Sequence, residues 1–136
     1  METSVQYLGG VKFEVEARGH RVVCDQPAAN AGTDAGMSPP EFLLASLGTC
    51  AAFYAAQYLH ARSIPAAGLS VRVTAEKARA PARLGRFRIE VRAPELPEDR
   101  HKDGILRAVH SCLIHNTLLC PPAIETVVEA PVPALV

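Results

Sequence analysis

Two cysteines lie 62 positions apart in this 136-residue chain, and each stands in a distinctive local sequence. Cys50 ends an apolar run that begins with Ser38-Pro39-Pro40-Glu41, and Cys112 opens a run that continues to Cys120. A thiolate attacks a peroxide oxygen and becomes a sulfenic acid, which a second thiol within reach converts to a disulfide. An external dithiol then restores both thiols. If Cys50 and Cys112 meet in space, they therefore form a peroxidatic and resolving pair.

These segments resemble the osmotically inducible protein C and organic hydroperoxide resistance (OsmC/Ohr) superfamily. The resemblance rests on Ser-Pro-x-Glu-(apolar)-Leu-Leu-Ala-x-Leu-Gly-x-Cys at 38–50 and on Cys-x-(apolar)-His-Asn-Thr-Leu at 112–118. Residues 18–27 are also similar to a segment of many less characterised members, and the resemblance extends over roughly residues 11–128. It implies that Cys50 attacks and Cys112 resolves. It also implies an intertwined homodimer around paired central helices, with the sites at the subunit interface.

A peroxidatic thiolate needs a nearby positive charge or a helix N-terminus at neutral pH. Hydroperoxide reductases of the family use an arginine held by a glutamate, and the resemblance offers Arg18 or Arg21 and Glu41 for these roles. The match is incomplete, because the family's glutamate stands ten positions before the cysteine, where this chain has Pro40. Glu41 can instead close a helix capping box with Ser38. Either arginine can instead be a solvated strand residue.

The elements that must position these groups follow from the period of the apolar residues. Alternation predicts strands at 11–15, 21–25, 71–75, 87–91 and 124–130. The first two form a hairpin within residues 5–25, and the next two form a second hairpin. Ser38 followed by two prolines starts a central helix, and a second helix opens at Glu98 and carries Cys112 on its buried face. The order β-β-α-β-β-α-β is an α+β layout.

The central helix is apolar on most of its sides, with Leu43, Leu47, Cys50 and Tyr54 on one face and alanines on others. A lone chain of this length would struggle to cover such a helix, so we expect an obligate homodimer. Side chains around Cys50 also predict an apolar pocket. A lipid-like or aromatic hydroperoxide would fit there, between Phe42, Leu43, Leu47, Phe53 and Tyr54.

Composition predicts one globular domain over residues 1–136. Hydrophobic residues make up 49% of the chain, and 14 basic residues balance 14 acidic ones. This balance offers no basic excess for nucleic acid and no polybasic run for a membrane surface. The N-terminus lacks the pattern of a signal peptide, and the longest apolar stretch is too mixed for a membrane span. The predicted compartment is therefore the cytoplasm, where cysteines are more often free, redox-active or metal-bound than structurally cross-linked.

The same residues also permit other interpretations. Cys50 and Cys112 can be small apolar residues packed in a core, and packing is the role expected for Cys24 and Cys120. His115 with the nearby cysteines offers zinc-ligand types, but the spacing matches no zinc finger or ribbon. We therefore predict no metal and no cofactor beyond an external dithiol reductant. The alternative function is a stress-response or small-molecule-binding protein with redox-sensitive cysteines and little turnover.

Overall fold

The computed structural model describes residues 1–129, and they form two small sheets and three α-helices. The elements are β1 (Ser4–Gly9), β2 (Lys12–Ala17), β3 (His20–Cys24), a 3-10 turn (Ala28–Asn30), α1 (Pro39–His60), β4 (Ser70–Arg79), β5 (Ala82–Arg92), α2 (Arg100–His110) and α3 (Leu113–Leu119). The predicted α+β class is confirmed. The order of elements departs from the predicted one in the three places described below.

Helix α1 begins as its sequence predicts. Pro39 and Pro40 occupy the first turn, where their missing N–H groups cost no helical hydrogen bond. A Glu41 carboxylate oxygen accepts from the Ser38 backbone N–H at 2.8 Å and from the Ser38 hydroxyl at 2.7 Å. This capping box fixes the start of the helix that carries Cys50.

The core lies where α1 meets β4, β5, α2 and α3. Its fully buried residues come from α1, from the segment after it and from α2, and they are Ala51, Ala55, Leu59, Ile64, Ile105 and Val109. Gly104 in α2 permits the closest approach of the two helices, because a Cβ at that position would overlap the Tyr58 phenol. This glycine therefore serves packing, although it lowers the intrinsic helix propensity of α2.

Helix α1 is also long and apolar enough to cross a membrane by length and composition alone. Core helices of soluble proteins pass the same test, and α1 packs against four elements of its own chain. Helix α1 thus forms the centre of the core.

The N-terminal segment forms a three-stranded antiparallel sheet, β1-β2-β3, instead of the predicted hairpin. Gly9 and Gly10, both with positive φ, turn the chain between β1 and β2. The register places Val5, Val15 and Val22 side by side and Tyr7, Phe13 and Cys24 beside them. These six residues define the apolar face of this sheet, of which Val5, Tyr7, Phe13 and Val22 are exposed.

The second predicted hairpin is confirmed as β4 and β5, which pair antiparallel over most of their length. Val71 lies opposite Val91 and Val73 lies opposite Ile89, and these four side chains are half-buried. Both strands are longer than the alternation predicted, since polar residues extend the pairing beyond the half-buried centre.

Two predictions at the C-terminal end were wrong. Residues 124–129 form no strand, and Ala130, the last residue of the predicted strand, lies outside the described residues. Alternation gives strand propensity, but a strand also needs a partner strand, and residues 124–129 pair with none of the described strands. Cys112 lies between α2 and a third helix, α3, rather than inside the second helix.

Candidate thiol site

Cys50 and Cys112 are neighbours in space, as their sequence contexts predicted. Cys50 lies in the third turn of α1 and is partly exposed, whereas Cys112 is the N-cap residue of α3 and has no exposed surface. Cys50 is close enough to contribute to the raised pKa of Cys112, and both cysteines are free. Val109, one turn before Cys112, packs into the same core as Ala51, and this packing carries Cys112 to α1.

The surroundings of Cys112 favour its neutral thiol. Burial raises the pKa of Cys112, and the neighbouring Cys50 raises that pKa further. The backbone N–H groups of His115 and Ile114 donate to the sulfur and lower the pKa, but they do not outweigh burial. Cys112 is therefore held protonated at neutral pH.

The structure keeps Glu41 away from Cys50 within one chain. Nine residues separate them on α1, which corresponds to roughly 13 Å along the helix axis. The Ser38 hydroxyl, followed by the Ser38 backbone N–H, holds the pKa of the Glu41 carboxyl below its usual value. Glu41 is thus engaged as the cap of its own helix.

Arg18 and Arg21 belong to the N-terminal segment, Arg18 in the turn between β2 and β3 and Arg21 in β3. Arg18 is exposed in the turn between β2 and β3 with a φ of 53°. Arg21 lies 3.0 Å from the Glu16 carboxylate and 3.7 Å from that of Glu14, and its side chain is 63% exposed. Both arginines are arranged as solvated residues of the sheet.

A groove of about 940 Å³ lies between β5, α2 and α3. Most of its lining is apolar: Leu47, Leu84, Phe87, Ile89, Val91, Ala93, Leu96, Ile105, Leu106, Val109, Leu118 and Leu119. Lys102 and Asp103 line it near the start of α2, and His110 and His115 line it near Cys112. The groove can therefore take an apolar molecule whose polar group lies at one end.

Of the five residues predicted to line an apolar pocket, Leu47 alone lines this groove. Phe53 is 55% exposed and Leu43 is 36% exposed, while Phe42 and Tyr54 are half-buried elsewhere. The prediction followed residues close to Cys50 in sequence, whereas the groove is built mainly by β5 and α2. The alternating apolar residues of β5 were the signal in the sequence that could have identified its part of the groove lining.

His115 is a groove residue whose polar atoms are incompletely satisfied. Its Nδ1 is buried and has no hydrogen-bond partner among the described residues. Its ring stands edge-on to His110 with the ring centroids 5.2 Å apart. A buried polar atom without a partner costs free energy, so a ligand that hydrogen-bonds to Nδ1 would bind with an advantage there.

Asp25 is a structural residue that the sequence analysis did not single out. It is 1% exposed, and its carboxylate accepts from the backbone N–H groups of Gln26, Thr33 and Ala35 and from the Thr33 hydroxyl. These bonds, led by the Thr33 hydroxyl, hold the Asp25 pKa far below its usual value. The signal was an aspartate before a loop of small residues, which is typical of side chains that bond to nearby backbone. Asp25 thereby fixes the loop between the N-terminal sheet and α1.

The remaining cysteines lie apart from the pair. Cys24 is buried at the end of β3, and Cys120 is exposed at the end of α3. Helix α3 separates Cys112 from Cys120 by roughly 12 Å along its axis, so a disulfide between them would require α3 to unfold. Among residues 1–129, no group of three or more His, Cys, Asp or Glu side chains is arranged to hold a metal ion. The absence of a metal cofactor stays a prediction.

Solved structures share this fold. A protein from Psychrobacter arcticus named for osmotic stress and detoxification response superposes with a TM-score of 0.77 at 20% identity, over 85% of each chain. An OsmC-like protein from Mycoplasma pneumoniae gives a TM-score of 0.73 at 21% identity, over 87% of this chain and 86% of that one. An organic hydroperoxide resistance protein OsmC from Legionella pneumophila gives 0.66 at 16% identity, over 87% and 89%. At these identities the likeness shows the fold.

The sequence alone assigns the family. No protein of curated function matches the chain significantly. The sequence pattern of the family described as OsmC-like protein matches residues 32–127, a span that includes the central helix and both cysteines of the pair. The chain belongs to the OsmC-like protein family.

Proposed function

We propose that the protein is a thiol-dependent peroxidase that reduces organic hydroperoxides, or hydrogen peroxide, through Cys50 and Cys112. The observation that carries this proposal is that two free cysteines 62 residues apart in sequence are brought together, Cys50 on α1 and Cys112 at the start of α3, which packs on α1. The Cys50 thiolate attacks the terminal peroxide oxygen, the O–O bond breaks, and the alkoxide takes a proton and leaves as the alcohol. The Cys112 thiol then attacks the Cys50 sulfenic acid, which yields a disulfide and water. A dithiol reductant reduces the disulfide and is itself oxidised.

The unequal surroundings of the two cysteines support this division of roles. Cys50 is partly exposed, so a peroxide can reach it, whereas Cys112 has no exposed surface. Burial raises the pKa of Cys112 and keeps it as a thiol at neutral pH, so it is a poor attacker of peroxide. When its sulfur attacks the Cys50 sulfenic acid, its proton passes to the departing hydroxyl group, which leaves as water. Cys50 is accordingly the attacking cysteine of this proposal.

The apolar groove supports an organic substrate. Three of its lining residues stand three positions from a cysteine of the pair: Leu47 precedes Cys50, and Val109 and His115 flank Cys112. An alkyl or aryl chain would replace water on the apolar lining, at roughly 25 cal/mol for each Å² of apolar surface removed from water. His115 Nδ1 can accept a hydrogen bond from the hydroperoxide or from the product alcohol.

We further propose that the functional unit is a homodimer. The chain exposes 10551 Å², whereas a compact monomer of this mass exposes about 6,900 Å². The apolar face of the N-terminal sheet is largely uncovered within its own chain, and a second copy would cover it. The same contact can carry Arg18 or Arg21 of the partner subunit towards Cys50.

Peroxide consumption with a dithiol reductant tests the proposed activity. Cys50→Ser should lose at least about 100-fold of the rate, because it removes the attacking sulfur, and Cys120→Ser should keep the full rate, because Cys120 is exposed and remote. Cys112→Ser should consume about one equivalent of peroxide and then slow, since its sulfenic acid cannot be resolved internally. Equal rates for the unaltered protein and Cys50→Ser would refute the proposal.

A second candidate function is favoured by the positions of Glu41, Arg18 and Arg21, which within one chain do not approach Cys50. In this alternative the protein binds a small apolar molecule in the groove during stress, and its cysteines respond to oxidation with little turnover. A protein that binds an apolar fluorophore but consumes peroxide no faster than free cysteine would be of this kind.

A further inference from the structure

The two sulfurs of the thiol pair differ in how they can be reached from outside. Cys112 has no exposed surface, and the first turn of α3 covers its sulfur with the N–H groups of Ile114 and His115. Cys50 is partly exposed on α1, on the same side of the helix as Phe53, whose side chain is 55% exposed. A molecule that approaches the pair therefore meets the Cys50 sulfur first.

Reduction of a disulfide depends on which sulfur is attacked. The incoming thiolate bonds to one sulfur and expels the other as a thiolate, and the rate depends on access to the first and on the stability of the second. A Cys50–Cys112 disulfide can therefore be opened by two routes that give different intermediates. The unequal exposure of the two cysteines bears directly on this choice.

We propose that the reducing thiol attacks the Cys50 sulfur of the Cys50–Cys112 disulfide and that Cys112 is the leaving group. This inference rests on the proposed two-cysteine function. The reductant thiolate forms a mixed disulfide with Cys50 while the Cys50–Cys112 bond breaks, and the Cys112 thiolate takes a proton. The second thiol of a dithiol then attacks the reductant sulfur of the mixed disulfide, so that Cys50 leaves as a thiolate and the reductant becomes an internal disulfide.

The cost of expelling a buried Cys112 thiolate opposes this route, whereas the exposure of Cys50 favours it. The exposure of the attacked sulfur decides which route is taken. Burial disfavours a departing thiolate at Cys112, but the N–H groups of Ile114 and His115 offset part of that cost, and a proton completes the step. Attack on Cys112 itself would require α1 or α3 to move aside, because the sulfur has no exposed surface. Cys50 thus carries the sulfenic acid during oxidation and the mixed disulfide during reduction, and Cys112 forms a covalent bond only with Cys50.

The test isolates reduction from peroxide chemistry. Protein with the Cys120→Ser substitution, which removes the exposed thiol, is oxidised with diamide and freed of reagent. It is then mixed with glutathione, quenched in acid within seconds and digested with pepsin at acid pH, which prevents further exchange. Mass spectrometry then locates the glutathione. We expect the adduct on Cys50 to exceed the adduct on Cys112 by at least about tenfold.

The outcomes separate this inference from the proposed activity. Glutathione mainly on Cys112, or equally on both cysteines, would overturn the inference while leaving peroxide reduction possible. Glutathione on Cys50 in a protein that consumes no peroxide would support the inference and remove the proposed activity. Failure of diamide to link Cys50 to Cys112 would overturn the inference together with the two-cysteine mechanism. Protein unfolded in urea is the control, and there the two adducts should form in similar amounts.

Discussion

Asp25 stabilises the protein through its charge, at a position with almost no exposed surface. Its carboxylate organises three backbone N–H groups and one hydroxyl of the loop that precedes α1. Two glycines make this arrangement possible, because a Cβ at Gly32 would overlap the Gln26 carbonyl and one at Gly36 would overlap the Val23 carbonyl. The loop therefore has one tight conformation, and Asp25 is its centre.

Replacing Asp25 by Asn should destabilise the protein. The amide keeps the size of the side chain but loses the charge and one of its two accepting oxygens, so we expect Tm to fall by roughly 4 °C or more, which thermal unfolding at pH 7 would measure. The control is Asp34→Asn in the same loop, where Asn tolerates the positive φ of 56° and the change should leave Tm nearly unaltered. Equal Tm values for the two variants would contradict the assigned role of Asp25.

The same residue predicts a direction of pH dependence. The Asp25 pKa is lower in the folded protein than in the unfolded chain, where it is about 3.9. Its contribution to stability is therefore complete above about pH 4 and declines as the pH falls below that value. Asp25→Asn should accordingly lose less stability than the unaltered protein between pH 4 and pH 2.

At the scale of elements, Gly104 sets how closely α2 approaches α1. The Tyr58 hydroxyl lies 3.1 Å from His101 Nδ1, and the Arg62 guanidinium carbon lies 3.7 Å from the centre of the Tyr58 ring. Tyr58 is therefore held from two sides and cannot move away from α2 without losing these contacts. The close packing of the two helices depends on the missing Cβ of Gly104.

Gly104→Ala should destabilise the fold although alanine is the better helix former. The gain in helix propensity is roughly 1 kcal/mol, whereas overpacking costs about 1–3 kcal/mol and displaces Tyr58. Chemical denaturation would measure the net loss. Gly85→Ala is the matched control, because nothing lies within 4 Å of a Cβ there, and it should leave stability unchanged or slightly higher. A more stable Gly104→Ala protein would show that Tyr58 yields easily.

The elements also show which signals the sequence holds. The capping box at Ser38 and Glu41 and the β4–β5 hairpin were predictable, because each depends on residues close together in the chain. The strand β1 was missed, because it is separated from β2 only by the turn at Gly9 and Gly10, and the alternation was followed only from residue 11 onwards. The groove beside Cys112 was not predictable, since β5 and α2 meet only through their packing on α1. The neighbouring thiols were predicted from buried stripes of two helices that share one core, and Val109 of α2, one turn before Cys112, does pack there with Ala51 of α1.

For the whole molecule, the separation of the N-terminal sheet from the helical core favours association of two copies of the chain. The strands of the N-terminal sheet contact one another far more than they contact the helical core. Their apolar face is therefore available to the second copy of the proposed homodimer. Light scattering at micromolar concentration should give about twice the chain mass of 14.5 kDa.

Two adjacent residues of β1 test which face associates. Val5 lies on the apolar face and is 58% exposed within one chain, whereas Gln6 points to the opposite face. Val5→Lys would bury a charge in the proposed dimer, so its dissociation constant should rise at least about tenfold, and Gln6→Lys should leave it unchanged. Sedimentation equilibrium measures both constants. A weaker dimer for Gln6→Lys, or unaltered dimers for both, would place the contact elsewhere.

Because the N-terminal sheet makes few contacts with its own helical core, its stability is linked to the concentration of the protein. If its apolar face is covered only by another subunit, the stability of the sheet depends on how much protein is assembled. By mass action, that stability then rises with protein concentration. Each tenfold rise in protein concentration then adds about 1.4 kcal/mol to the stability of the assembled form. A cell that raises production of this protein would thereby also raise the fraction of it that is fully structured.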